Sequence, residues 1–96
     1  MAQQVTVTTD AQVALKPLLE SALRSELRMV ELSLQRTSQR LQAFEAQYGW
    51  ISDEFERRFN ARELEESLDF IEWAGEIETY RRLDTQRQAL QGVQLT

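Results

Sequence analysis

The hydrophobic positions between residues 23 and 48 repeat every seven residues in two interleaved series. Leu23, Val30, Thr37 and Phe44 form one series, and Leu27, Leu34, Leu41 and Tyr48 the other. Seven of these eight side chains are apolar, which predicts a long helix with a coiled-coil-like seam. Met29 and Leu32 lie off the seam and widen the apolar face. Thr9 and Gln12 have capping-box spacing, and Pro17 suits a first helical turn better than a helix interior. The helix is therefore placed at about 15–48, roughly 50 Å long at 1.5 Å per residue. Ahead of it, residues 1–14 form an N-terminal arm. Its alternating VTVTT stretch reads as a short strand or as disorder.

The punctuation after Tyr48 predicts two more helices. Gly49 suits the residue that ends a helix, and Ser52 suits an N-cap, so YGWIS is a tight turn. A short helix at about 53–59 should bury Phe55 and Phe59, one turn apart. Asn60, with Glu63 three residues on, offers another capping box, which places a second long helix at about 62–91. Residues 15–96 thus form a single helical domain.

On that last helix, at about 100° per residue, Glu65, Asp69, Glu72 and Glu76 fall in one acidic stripe. Leu64, Leu68, Ile71 and Gly75 line one flank of it. Phe70, Trp73, Ile77 and Tyr80 line the other. One flank can pack on the first helix, and the other needs a different cover. A two-helix hairpin cannot hide both, and small chains bury little surface alone. The expectation is an all-α, long antiparallel hairpin with a short linking helix. It should dimerise through Leu23, Leu27, Val30, Leu34, Leu41, Phe44 and Tyr48 into a four-helix, coiled-coil-like assembly. Gly75 is unfavourable in a helix, so it marks either a close helix crossing or a place where the helix bends or breaks.

Charge sharpens the picture. Residues 1–51 balance five acids against five bases, whereas residues 52–80 hold ten acids against three bases. Such a concentrated field repels nucleic acid and attracts a basic protein. Large aromatics beside that field are the usual anchors of an interface. The expected partner-binding residues are Glu65, Asp69, Phe70, Glu72, Trp73, Glu76, Ile77 and Tyr80, with Trp73 the main anchor.

Other chemistry is excluded or weakly signalled. The 96 residues include no His and no Cys, which removes the commonest general base, thiol chemistry and the usual zinc ligands. Glu63, Glu66 and Asp69 imitate pieces of the carboxylate motifs with which all-α nucleotide pyrophosphatases hold Mg²⁺, but they overlap on one helix and no second Glu-x-x-Asp follows. No enzyme activity, cofactor or metal is expected. No apolar run is long enough to span a membrane, and the first ten residues do not read as a secretory signal, so a cytoplasmic location is expected.

The block YGWISDEFERRFNARELEESLDFIEWAG resembles part of a group of short, acidic, helical prokaryotic proteins that act as antitoxins beside small ribonuclease-like toxins. The resemblance rests on Tyr48-Gly49, Ser52, Phe55, Phe59, Glu63-Leu64, Asp69-Phe70 and Glu72-Trp73. It implies a module that neutralises a basic toxin by covering it. The N-terminal arm does not resemble a ribbon-helix-helix domain, so operator binding is not part of the expectation. A structural helical adaptor or assembly factor is the alternative that the same residues allow.

Overall fold

The computed structural model describes residues 3–5 and 12–95. They form a rod of 60 × 21 × 17 Å. The element order is β1 (Gln3–Val5), α1 (Gln12–Tyr48), α2 (Ser52–Asn60), α3 (Leu68–Gln91) and β2 (Val93–Leu95). The two long helices pack together as a hairpin, and α2 folds back against them near the turn. At the far end β1 and β2 pair in parallel, with Gln3 opposite Val93 and Val5 opposite Leu95. The fold is therefore predominantly helical, closed by a ribbon of the two chain ends. The β2 strand has no counterpart among the elements expected from the sequence. Of the VTVTT stretch only Val5 is described; the rest, with Thr9 of the expected capping box, lies outside the described residues.

The helix boundaries differ from expectation at two places. First, α1 begins at Gln12 and runs through Pro17 rather than starting there. Proline has no N–H to donate to the carbonyl four residues back, so this turn holds one backbone bond fewer. Second, α3 begins at Leu68, not near residue 62. Arg62 takes a left-handed conformation, φ 58°. The N–H of Arg62 reaches the carbonyl of Phe59 at 3.1 Å, and that of Glu63 reaches Arg58 at 3.0 Å. This crossed pair of bonds is a Schellman ending, here built without glycine. Asn60 is thus the last residue of α2 rather than a cap for the next helix. The N-cap of α3 is Ser67, whose hydroxyl accepts from the Phe70 N–H at 3.1 Å.

The first turn follows the sequence more closely. Gly49 has φ 74° and its N–H bonds to the Glu45 carbonyl at 2.8 Å, ending α1. Ser52, however, is the first residue of α2 rather than its cap. Its backbone N–H donates to the Glu45 carboxylate at 2.7 Å, so α1 supplies the cap for α2. The Ser52 hydroxyl is thereby left to accept from the Trp73 indole N–H at 3.0 Å.

The core lies where all three helices meet. Phe55, Trp73 and Ile77 are buried, with Leu41, Phe44, Tyr48, Phe59 and Phe70 packed around them. Trp73 is fully buried and sandwiched. Phe55 stacks on one face at 4.0 Å and 3°, and Phe44 stacks at 5.5 Å and 12°. Further along, Val30, Leu34 and Thr37 continue the buried line of α1. The heptad seam expected to join two chains is therefore turned inward, against α3 of the same chain. α3 continues without a break through Gly75, where an added Cβ would meet nothing within 4 Å. Neither a close crossing nor an interrupted helix accounts for this glycine within the chain.

Two stability outcomes are expected. Trp73→Ala should cost about 3–5 kcal/mol, the range for emptying a buried aromatic site. Gly75→Ala should instead stabilise by about 0.5–1 kcal/mol, because it removes a glycine from an open helix interior. Urea unfolding followed by circular dichroism measures both. A Trp73→Ala loss below about 1 kcal/mol would contradict the sandwiched geometry.

Candidate interaction surface

Many of the carboxylates in the acidic segment are used internally. Glu54 accepts from Arg57 at 3.0 Å and Arg58 at 2.9 Å, and these guanidinium groups lower its pKa to about 2. Arg57 also lies 3.6 Å from Glu63. Glu56 and Arg81 form a two-point bridge between α2 and α3, at 2.5 and 2.6 Å. Arg40 of α1 lies 3.4 Å from Glu76 of α3. Asp69 accepts the Tyr48 hydroxyl at 2.5 Å and the Gln47 amide at 3.4 Å. These carboxylates join helix to helix or brace the end of α2.

A second set is not used in this way. Among the described residues, Glu65, Glu66, Glu72 and Glu78 enter none of the ion pairs, and all four are exposed. Glu65 and Glu66 lie in the non-helical link before α3, so the expected four-residue stripe is broken at its first member. The same link separates Glu63 and Glu66 from the helix that carries Asp69. The carboxylate spacing that imitated a Mg²⁺ site is therefore not laid out on one helix face.

The two apolar flanks of α3 are reversed from expectation. The flank assigned to a partner is the one inside: Trp73 and Ile77 are buried and Phe70 is half-buried, while Tyr80 sits at the margin of exposure. Its cover is α2, whose Phe55 packs on both Trp73 and Phe70. Trp73 has no surface to offer another protein in this fold. The open flank is the other one, with Leu68 79% exposed, Ile71 55% exposed and Gly75 also exposed; Leu64, expected on the same flank, lies instead in the link before α3, half-buried against the core. Leu68 and Ile71 are one turn apart, with Glu72 on one side and Glu78 on the other. The sequence had placed Leu68 and Ile71 on a common flank. It could not show which flank α2 would cover, because that depends on the path of the link.

Asp69 marks the border between the two sets. It sits in the first turn of α3, where negative charge suits the helix dipole. Its hydrogen bond raises the Tyr48 pKa above the ordinary 10, with burial and the carboxylate charge adding to the effect. Because the folded value is raised, the stability from this contact is complete below pH 10 and is lost as pH rises through the raised value. Asp69→Ala should move the Tyr48 titration down toward 10. Tyrosinate absorbance in the ultraviolet, compared with a Tyr48→Phe control, follows it.

Among the described residues no helix is long and apolar enough to cross a membrane. No known protein family, curated protein or solved structure matches the chain.

Proposed function

We propose that the chain is a non-enzymatic protein–protein interaction module of the antitoxin type, which binds and neutralises a basic, ribonuclease-like toxin with its acidic end. The observation that carries this reading is the Leu68–Ile71 pair, exposed on the surface among carboxylates that have no ion-pair partner among the described residues. Exposed apolar groups give a partner something to hold. The surrounding charge draws in a cationic surface and sets the association rate.

The geometry changes which residues are assigned to the contact. Leu68 and Ile71 replace Trp73, Phe70 and Ile77 as anchors, and Glu65, Glu66, Glu72 and Glu78 supply the field. Asp69 and Glu76 hold α1 to α3 and act on the partner only at a distance. In this reading the module works as a dimer, with two hairpins forming a four-helix, coiled-coil-like assembly.

Affinity capture from the native host, followed by mass spectrometry, identifies the partner. Leu68→Ala with Ile71→Ala should weaken its binding by tenfold or more, about 1.4 kcal/mol, while the helical circular dichroism is unchanged. Glu72→Lys with Glu78→Lys should slow association, and the effect should shrink as salt is raised. Capture of a partner with no basic face, or binding indifferent to all four substitutions, would overturn the reading. A captured basic protein without toxic activity would point instead to an adaptor or assembly factor.

A further inference from the structure

The dimer in that reading needs a face, since the heptad seam is spent inside the hairpin. A second seam runs along α1. Leu15, Leu18, Ala22, Ser25, Met29 and Leu32 are spaced three, four, three, four and three residues apart. This is again the 3.5-residue period that keeps one stripe facing a partner helix. Leu15 is half-buried and the other five are exposed, Leu18 at 66% and Met29 at 62%. The stripe ends at Arg36, the next position in the series.

From this stripe we infer that two copies of the chain pair along α1, antiparallel, about a twofold axis between Ala22 and Ser25. Three observations support a second copy as the occupant. The first is size. Read in either direction, the stripe runs large, large, small, small, large, large. A twofold interface must be complementary to itself. In the antiparallel register Leu15 meets Leu32 of the other copy, Leu18 meets Met29, and Ala22 meets Ser25. The small central layers let the two backbones approach closely there.

The second observation is charge. One end of the rod carries residues 52–80, with ten acids against three bases. A parallel dimer would set two such ends side by side. The antiparallel arrangement points them in opposite directions and leaves both open to a partner. The third is the flanking pattern. In an antiparallel coiled coil, residues on matching flanks meet each other. Here Arg28 comes beside Ser21 of the other copy and Glu26 beside Leu19, so no like charges are forced together.

The chain has no cysteine, so engineered thiols report on this register without interference. Full-length Leu18→Cys and Met29→Cys chains are mixed in equal amounts and oxidised gently. In the antiparallel register these two positions face each other. Two copies of either one are about 16 Å apart along the axis, too far for a disulfide. The expected result is a mixed disulfide exceeding both homodisulfides several-fold. Alongside, sedimentation of the unmodified chain should show a dimer that builds up with concentration. Met29→Glu should raise its dissociation constant more than tenfold without loss of helicity.

A dimer that survives Met29→Glu and cross-links mainly as homodisulfides would overturn this face and orientation while leaving the dimer of the functional reading standing. A chain that stays monomeric at every concentration would remove both. Neither outcome touches partner binding through Leu68 and Ile71, which is measured separately.

Discussion

The structure depends on the burial of one indole. Trp73 lies between Phe44 of α1 and Phe55 of α2, so a single side chain of α3 joins all three helices. Its N–H must find an acceptor once it is out of water. It finds the Ser52 hydroxyl. That hydroxyl is available because Ser52 is not capping its own helix; Glu45 does so from α1. Stacking, acceptor and cap thus depend on one another, and together they fix the angle at which α2 turns back. The exposure of Leu68 and Ile71 follows, because α2 can cover only one flank of α3.

The carboxylates divide along the same line. Those that face another helix are held by arginines, a tyrosine or a backbone N–H, and they act as ties. Exposed ion pairs contribute little each, so their value here is in setting register between helices more than in adding stability. Glu65 and Glu66 on the link, and Glu72 and Glu78 on the outer side of α3, have no such task. The separation lets the acidic end keep a strong field without placing unpaired charge in the core, where it would be severely penalised.

The sequence made some of this legible and concealed the rest. The long helix was readable because its seam keeps one period for almost four heptads, and Gly49 marked its end through a backbone conformation that other residues adopt with strain. The end of α2 was concealed because Arg62, not glycine, occupies its left-handed position. The start of α3 was concealed for a related reason: Asn60 and Glu63 match a capping box, whereas Ser67 has Phe70 at the third position, so spacing favours the site that the helix does not use. The fate of Trp73 was the hardest to read. Aromatics near acids look the same in sequence whether a partner or a neighbouring helix covers them. The better signal was Phe55 and Phe59, two large apolar groups on a nine-residue helix that needed something of equal size to pack against.

The pairing of β1 with β2 has a consequence for the order in which the chain can be assembled. It joins Gln3–Val5 to Val93–Leu95, nearly the full length of the sequence apart. Closing so long a loop from an open coil costs about 4 kcal/mol in entropy by the logarithmic loop-length term alone. Three residues of ladder on each strand cannot repay that by themselves. The cost falls once α1 and α3 lie side by side, because the hairpin has already brought the two ends together. The ribbon is therefore a late clasp, one that closes on a finished hairpin and takes no part in building it.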